Sequence, residues 1–482
     1  MSRSPLIVRN GFCRLPPETP PDLVKAVDEQ TAYLVAGHEM ALPYKRGWWD
    51  GREHLVKFSK RDNCFKFPTG LLGELLKRLP EEFDVQDERR QPSEKRDIAF
   101  IGPEPRDYQL GAVEAAEAAR GPGGISTGRG LLNLPIRSGK TLIASLIISR
   151  TGLRTVFVVP SDMLLTQTKK AFQEFLSPAP VSIFGHEKPG FITVATNQML
   201  IARPKAALEL LRETDQLIVD EAHHLEAPAW RMPLLAADSL HKIGLSATIF
   251  GNKDIPTEQS AIWLRAVTGP ILYRVAMKEL IDRQFLVAPQ IIVYPVKKPE
   301  GMETKYSFKN AYEKLIAANH YRNSGIADLV EQGVSSGMKV LVDTGRLNQM
   351  RTIQAMLNSR GIEVRAIFGG TSAPQRAKIL KDFQNGKIQC LVGTVLGEGI
   401  DIPELEMVIN AEGMRSKKAV IQRMRNLTPS EGKEMAVFID FLDYTNEYLA
   451  EHSAERVSMY RSTRGFKLHA GRVDETGKFI LG

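Results

Sequence analysis

Short runs of apolar, β-branched residues alternate with stretches of helical pattern along most of this 482-residue chain. A first series of such runs lies at 130–134, 155–159, 191–195, 216–219 and 242–245. A second series follows at 340–342, 364–368, 388–392, 407–410 and 436–441. Alternating strand and helix patterns are typical of parallel sheets covered by helices. The sequence therefore predicts two α/β domains in series.

The remaining segments flank and join these two domains. We expect residues 1–87 to form a small α+β accessory domain with helices over 21–35 and 69–79. The charged stretch 88–97 lacks an apolar period, which predicts a linker. The α/β domains then span 98–285 and 286–445, and a basic tail covers 446–482. The basic residues of this tail either bind phosphates or lie on a solvated helix face. They are Arg456, Arg461, Arg464, Lys467 and Arg472.

Charge and cysteine content narrow the classes of partner and compartment. Lys and Arg exceed Asp and Glu by 64 − 56 = 8, so a polyanionic partner is plausible but not required. Cys13, Cys64 and Cys390 are far apart in sequence, which indicates neither a disulfide framework nor a zinc site. No apolar run approaches the length of a membrane span. We therefore expect a cytoplasmic protein, located in the host cytoplasm if a phage encodes it.

A phosphate-binding loop is predicted at 130–141, where Gly-Leu-Leu-Asn-Leu-Pro-Ile-Arg-Ser-Gly-Lys-Thr precedes an apolar helical pattern. Backbone N–H groups at a helix N-terminus can hold the β- and γ-phosphates of a nucleotide. Ser138, Gly139 and Lys140 are the candidate phosphate ligands, and Thr141 is a candidate Mg²⁺ ligand. A loop that merely contains a glycine and a lysine is the alternative.

An acidic pair supports the phosphate-binding interpretation. The apolar run 217–219 ends in Asp220-Glu221-Ala-His223, which places two carboxylates at the end of a buried strand. Nucleotide hydrolysis needs such a pair, with Asp220 as a Mg²⁺ ligand and Glu221 as the general base. His223 is the candidate relay to neighbouring segments, and His224 is predicted to be a surface residue.

Further motifs lie between about residues 100 and 445. Their sequences and their order along the chain resemble those of superfamily 2 helicases and translocases. The resemblance implies two RecA-like domains that bind ATP in their shared cleft. It assigns Arg106 and Gln109 to adenine recognition, and Gly399 and Asp401 to the nucleotide. Contacts with the nucleic-acid backbone are implied for Pro160, Ser161, Thr196, Gln198, Arg346 and Thr394. Ser246 and Thr248 are implied to couple hydrolysis to strand movement.

The accessory region resembles that of phage recombination helicases of the UvsW type, which remodel branched DNA. The resemblance rests on 44–52, Tyr-Lys-Arg-Gly-Trp-Trp-Asp-Gly-Arg, and on 67–72. Cations beside flat aromatic rings suit phosphate contact and base stacking. Lys45, Arg46, Trp48, Trp49 and Arg52 are therefore candidate nucleic-acid ligands. Alternatively, the two tryptophans fill the core of a small domain.

Two departures from the family pattern concern catalysis. Ile136 and Arg137 stand where the family has Thr and Gly in the phosphate-binding loop. Motif VI is one residue short, since Gln422-Arg-Met-Arg-Asn-Leu-Thr428 lacks the final arginine. We align Gln422 and Arg425 with the catalytic positions, and Arg425 is the candidate arginine finger, assisted by Arg423 or Arg137.

The sequence predicts an ATP hydrolase coupled to unwinding of, or translocation on, nucleic acid, with ATP and Mg²⁺ as cofactors. Branched, forked or single-stranded DNA is the expected partner, and RNA is an alternative because the core motifs contact the backbone. A further alternative is a nucleic-acid clamp that binds ATP but hydrolyses it poorly. Protein partners are left open by the sequence.

Overall fold

The computed structural model describes residues 3–35, 37–79, 81–92, 94–119, 128–135, 137–178, 180–247, 258–286, 289–296, 303, 305–394, 405–414, 436–463 and 465–481. Its contacts divide these residues into two compact units, which meet in sequence at Val275 and Ala276. Within the described residues, no helix is both long enough and apolar enough to cross a membrane.

The first unit begins with a small mixed sheet whose strand order is β5-β6-β2-β1-β7. Only β1 and β7 pair in parallel, and the apolar side chains of β1, β2 and β6 pack with two helices around Phe67. The strands of this accessory region are β1 (Ser4–Val8), β2 (Phe12–Leu15), β3 (Tyr33–Leu34), β4 (Arg52–Glu53), β5 (Lys57–Ser59), β6 (Cys64–Pro68) and β7 (Phe83–Asp87). Strands β3 and β4 pair with each other in a separate two-stranded sheet. The helices of this region are α1 (Pro21–Thr31), α2 (Leu42–Lys45) and α3 (Leu72–Arg78). The predicted accessory α+β fold is confirmed.

A seven-stranded parallel sheet follows, in the order β12-β13-β10-β14-β15-β9-β16. Its central strands are buried along their whole length, as continuous apolar runs predict. The strands of this region are β8 (Ala99–Phe100), β9 (Arg129–Asn133), β10 (Thr155–Val159), β11 (Leu176–Ser177), β12 (Val181–Ile183), β13 (Ile192–Thr196), β14 (Gln216–Asp220), β15 (His241–Ser246) and β16 (Ile271–Arg274). The helices are α4 (Asp107–Ala118), α5 (Lys140–Thr151), α6 (Asp162–Phe175), α7 (Asn197–Ala202), α8 (Pro204–Glu213), α9 (Pro228–Leu235) and α10 (Glu258–Thr268).

Buried polar contacts join the small sheet to this parallel sheet. The amide of Asn10 donates to the carbonyls of Arg90 and Asp238, at 3.2 and 3.1 Å. Arg90, in the segment predicted as a linker, donates to the Asp215 carboxylate at 2.8 Å. The buried guanidinium of Arg129 donates to the carbonyls of Asn10 and Ser239. The segment 88–97 therefore packs against the first α/β domain along part of its length.

The second unit contains another seven-stranded parallel sheet, in the order β19-β20-β18-β21-β22-β17-β23. Its strands, with a terminal hairpin, are β17 (Gln290–Val296), β18 (Val340–Asp343), β19 (Val364–Ile367), β20 (Cys390–Gly393), β21 (Met407–Asn410), β22 (Val437–Asp443), β23 (Lys467–Ala470), β24 (Arg472–Val473) and β25 (Phe479–Ile480). Its helices are α11 (Met277–Asp282), α12 (Phe308–Ala311), α13 (His320–Ser335), α14 (Leu347–Ser359), α15 (Ala373–Gln384) and α16 (Glu447–Ser462). Two parallel-sheet domains after an α+β region confirm the predicted fold class.

The segment predicted as a basic tail is an integral part of this second fold. Strand β23 pairs with β17, and Phe479 is fully buried in the core. Arg456 has no exposed surface, and its Nε lies 2.7 Å from Asp440 Oδ2. The expectation that Arg456 grips phosphates is therefore wrong, because its charge is neutralised inside the domain.

Candidate active site

The phosphate-binding loop connects β9 to α5 at the carboxyl edge of the first parallel sheet. Gly139 has φ +81°, and a Cβ at this position would lie 2.4 Å from Gln109 Nε2. Glycine is required here because other residues pay for a left-handed conformation and would also collide. Helix α5 begins at the next residue, so its first N–H groups are available to an anion.

Two side chains of α4 hold this loop from behind. Gln109 Nε2 and Tyr108 Oη donate to the Ser138 carbonyl, at 2.9 and 3.0 Å. Gln109 Oε1 accepts from the backbone N–H of Arg106 at 2.8 Å, which satisfies the backbone donor of the residue that precedes the helix. The amide predicted to read adenine is thus also a support for the phosphate-binding loop.

The acidic pair meets the phosphate-binding lysine. Lys140 Nζ lies 2.7 Å from Glu221 Oε1 and 3.6 Å from Asp220 Oδ1, and all three side chains are largely buried. This contact forms because β14, which ends in Asp220, is separated from β9 only by β15. Glu221 has φ 49°, a left-handed conformation that a non-glycine residue adopts only when its surroundings hold it there.

His223 links this carboxylate to the neighbouring strand. Its Nδ1 lies 3.3 Å from Glu221 Oε2 and 3.0 Å from the hydroxyl of Ser246 at the end of β15. His224 is half-buried and stacks on Trp230 with ring centroids 4.7 Å apart, so the prediction of an ordinary surface histidine is wrong. The contact of His223 with Ser246 provides a physical path between the hydrolysis site and the segment predicted to couple it. Thr248, the other predicted coupling residue, lies outside the described residues.

Comparisons with known proteins agree with this geometry. Residues 102–251 match the family model "Type III restriction enzyme, res subunit", and residues 324–425 match "Helicase conserved C-terminal domain". The chain belongs to the superfamily 2 helicases. The two helicase domains and the relatives named as helicases show that the chain is an ATP-dependent helicase. The cluster of Lys140, Asp220 and Glu221 is its candidate hydrolysis site.

Three similar proteins illustrate the breadth of the helicase family. The ATP-dependent DNA helicase uvsW of Enterobacteria phage T4 is 22% identical over 476 residues, covering 88% of this chain and 90% of that protein. The DNA 3'-5' translocase XPB2 of Sulfurisphaera tokodaii is 26% identical over 382 residues, covering 68% and 79%. A structure of a putative type I restriction HsdR subunit fragment from Vibrio vulnificus YJ016 aligns with TM-score 0.59 at 18% identity, covering 90% and 78%. The similarity to the HsdR fragment shows a shared fold only.

The residues of the helicase site fit a nucleotide with a bound Mg²⁺. Ser138 is fully buried, and its Oγ has no hydrogen-bond partner within the described part of the chain. A phosphate oxygen would supply the acceptor that this hydroxyl lacks. Thr141 and Asp220 offer the hydroxyl and carboxylate oxygens that Mg²⁺ prefers. Among the described residues no group of three or more His, Cys, Asp or Glu side chains could hold a metal ion.

The candidate nucleic-acid ligands of the first helicase domain follow the strand ends of the same sheet. Pro160 and Ser161 come directly after β10 and are half-buried. Thr196 is fully buried and caps α7, accepting from the N–H of Met199 at 3.2 Å. Its hydroxyl is therefore engaged within the fold, whereas Gln198 is exposed and free to reach a ligand.

In the second helicase domain, Arg346 and Thr394 emerge from neighbouring parallel strands. Arg346 caps the start of α14, is exposed, and lies over the ring of Tyr312 at 4.8 Å. Thr394 follows β20 and is half-buried. Thr344 Oγ1 ties these two strand ends together by donating to the Gly393 carbonyl at 3.1 Å. Gly399, Asp401, Gln422 and Arg425 lie outside the described residues.

In the accessory region, the structure separates the two adjacent tryptophans. Trp48 is 74% exposed, whereas Trp49 is half-buried and donates from Nε1 to the Arg52 carbonyl at 2.7 Å. The alternative in which both rings fill the core is therefore wrong. Lys45, Arg46 and Arg52 have exposed side chains beside them.

One contributor to the site was not assigned from sequence. Tyr108 lies between Arg106 and Gln109, and its hydroxyl supports the phosphate-binding loop as Gln109 does. Arg137 has φ 58° and is half-buried, so a bulky cation occupies a left-handed position within the loop. In the sequence, Arg137 was distinguished by its departure from the family pattern.

Proposed function

We propose that this helicase is a DNA remodelling motor, which uses ATP to unwind, migrate or reanneal branched and forked DNA. The observation that carries the proposal is the buried cluster of Lys140, Asp220 and Glu221, whose cation and carboxylates suit nucleotide hydrolysis. The choice of DNA is supported by the likeness to a protein named as an ATP-dependent DNA helicase over 88% of this chain. An exposed tryptophan beside basic residues in the accessory region supports a forked substrate.

The proposed hydrolysis assigns a separate task to each residue of the cluster. Lys140 releases Glu221 and neutralises the β- and γ-phosphates, while the N–H groups of α5 hold their oxygens. Glu221 then accepts a proton from the attacking water. Asp220 and Thr141 would hold Mg²⁺, which when bound neutralises charge on the phosphates. Arg425 is proposed to stabilise the transferred phosphoryl group.

Recognition and coupling are proposed for the residues around this cluster. Gln109 contacts the adenine while supporting the Ser138 carbonyl, and Arg106 contacts the adenine beside it. Gly399 and Asp401 contact the nucleotide from the second domain. His223 contacts Glu221 and is proposed to couple it to Ser246 through its 3.0 Å hydrogen bond with the serine hydroxyl. Thr248 is proposed to extend this coupling. Pro160, Ser161, Gln198, Arg346 and Thr394 are proposed to line the track of the nucleic-acid backbone. Thr196, which is buried, caps α7 instead.

Steady-state ATP hydrolysis by the full chain tests the proposal. Turnover is measured without nucleic acid, with single-stranded DNA, with forked DNA and with RNA, beside a Glu221→Gln control. We expect forked DNA to stimulate turnover most and the control to abolish it. Stronger stimulation by RNA would favour the RNA helicase alternative. Nucleotide binding without turnover under every condition would favour the clamp.

A further inference from the structure

An apolar protrusion rises from the accessory region between β3 and β4. This aromatic protrusion, residues 38–48, consists of a short 3₁₀ turn (His38–Met40), helix α2 and a turn through Gly47. Met40 and Trp48 are each 74% exposed, and Leu42 and Tyr44 are exposed as well. Large apolar side chains clustered on one projecting segment indicate an interaction surface rather than scattered surface residues.

The aromatic protrusion is also cationic. The guanidinium carbon of Arg46 lies 5.0 Å from the centroid of the Trp48 ring, a cation–π arrangement. Lys45 and Arg46 form no ion pair within the described part of the chain. Between residues 45 and 66 there are seven Lys and Arg side chains against three acidic ones. A flat exposed ring beside free cations matches the chemistry of a base next to its phosphates.

The aromatic protrusion is held in one shape by contacts beneath its exposed tip. The rings of His38 and Tyr44 meet edge to face at 4.6 Å, and the N–H of Trp48 donates to the Pro43 carbonyl at 2.9 Å. Gly51, with φ +82°, passes so close that a Cβ would lie 2.7 Å from the His38 ring. A tip that is ordered before binding loses little conformational entropy on binding.

The base of the aromatic protrusion is fixed to the first α/β domain. Trp263 Nε1, on α10, donates to Tyr33 Oη at 2.9 Å, and the two rings belong to one apolar cluster with Leu55, Leu71 and Ala266. Farther along the joint, Arg265 Nη1 lies 2.6 Å from both carboxylate oxygens of Glu74. The protrusion and the ATP-binding domain are therefore parts of the same compact unit.

We propose that the aromatic protrusion is a stacking wedge for branched DNA. Trp48 stacks on the terminal base pair at the branch point, and Lys45 and Arg46 contact the flanking phosphates. Since the wedge is fixed to the ATP-binding domain, movement of that domain carries it against the branch point. This inference rests on the proposed DNA remodelling function and adds the group that engages the junction.

Stacking is tested directly with a fork that carries 2-aminopurine at the terminal base pair. The full chain is compared with Trp48→Ala, with Trp48→Phe, and with Met232→Ala as a control at another exposed apolar residue on α9. We expect Trp48→Ala to abolish the change in probe emission and to weaken fork binding on the order of tenfold. Trp48→Phe should retain most of both, and Met232→Ala should match the unmodified protein.

Unwinding of the same fork completes the test. We expect Trp48→Ala to slow unwinding on the order of tenfold while turnover stimulated by single-stranded DNA falls far less. Equal loss on forked and single-stranded DNA would overturn the wedge, because Trp48 would then be a general grip. Unchanged probe emission, affinity and unwinding in Trp48→Ala would overturn it too, and would leave the surface to a protein partner. Absence of DNA-stimulated turnover in the unmodified protein would instead contradict the proposed function itself.

Discussion

Lys140 Nζ lies 2.7 Å from Glu221 Oε1, so the cation proposed to bind the phosphates is paired with the carboxylate proposed to activate water. Both side chains are about nine-tenths buried, and neither charge would be tolerated there alone. A nucleotide has to replace this pairing with contacts of its own. The ion pair thus offsets the buried charges of Lys140 and Glu221, and it sets a competition between Glu221 and the phosphates for Lys140.

Glu221→Gln should separate nucleotide binding from hydrolysis. We expect turnover to fall on the order of 10²- to 10⁴-fold, because the general base is lost. Nucleotide affinity should stay unchanged or rise, since the amide competes less for Lys140. Equilibrium binding of a fluorescent ATP analogue and steady-state turnover measure the two effects, with Lys140→Ala as the variant that loses binding. Equal loss of affinity in both variants would contradict the competition.

Gln109→Glu should damage the phosphate-binding loop more than Gln109→Ala does. The carboxylate keeps the acceptor for the Arg106 N–H but places an oxygen against the Ser138 carbonyl, where Nε2 now donates at 2.9 Å. We expect the KM for ATP to rise roughly 5- to 10-fold in Gln109→Ala, from about 1 kcal/mol of lost hydrogen bonding, and further in Gln109→Glu. Tyr108→Phe is the matched control. A smaller rise in KM is expected because Gln109 keeps its hydrogen bonds to both the Ser138 carbonyl and the Arg106 N–H. An identical KM in all three variants would rule out the supporting role.

Ten of the fourteen strands in the two parallel sheets could be predicted, because each coincides with a local apolar run. Thr155–Val159 and Met407–Asn410 have the bounds that the sequence indicated. Strand β23, Lys467–Ala470, could not be predicted in this way, because it has no β-branched run and exists only through pairing with the distant β17. The same holds for Arg456, whose buried partner Asp440 lies on another element.

The residues of the candidate site could be predicted from the sequence, but the contacts between them could not. Local motifs identified Lys140, Asp220 and Glu221, since phosphate-binding loops and acidic strand ends have sequence signatures. Their ion pair depends on the strand order of the sheet, which no local signature contains. Likewise, the opposite environments of Trp48 and Trp49 follow from how the protrusion folds on itself.

Arg456→Met should destabilise the second α/β domain by about 3–5 kcal/mol, because it leaves Asp440 buried without its cation. Arg461→Met, an exposed position on the same helix, should change stability by less than about 0.5 kcal/mol. Thermal and chemical unfolding measure both. Arg456 also donates to the carbonyls of Gly413 and Met414, which precede the segment resembling motif VI by about eight residues in sequence. We therefore expect ATP turnover to fall in Arg456→Met at temperatures where the variant stays folded. Equal stability of Arg456→Met and Arg461→Met would contradict the buried ion pair between Arg456 and Asp440.

The loop that follows the aromatic protrusion should respond to pH through His54. Burial lowers the pKa of His54, but hydrogen bonds and charges from Asp28 and Asp50 outweigh it, so the pKa lies above its ordinary value. The imidazole bridges the two carboxylates at 2.5 and 3.0 Å. A pKa raised by folding means that the stabilisation is fully present below the unfolded value of about 6.5 and is lost as pH rises through the folded value.

We therefore expect the stability difference between the unmodified protein and His54→Gln to shrink as pH rises from about 6 to about 8. Titration of the histidine ring resonances should give His54 a pKa above 6.5. Asp50→Asn should lower this pKa because one of the two carboxylates is neutralised, whereas Asp84→Asn, an exposed acid on β7, should leave it unchanged. A His54 pKa at or below the ordinary value, or one insensitive to Asp50→Asn, would show that the two carboxylates do not hold the imidazolium and that the loop is fixed by its backbone contacts alone.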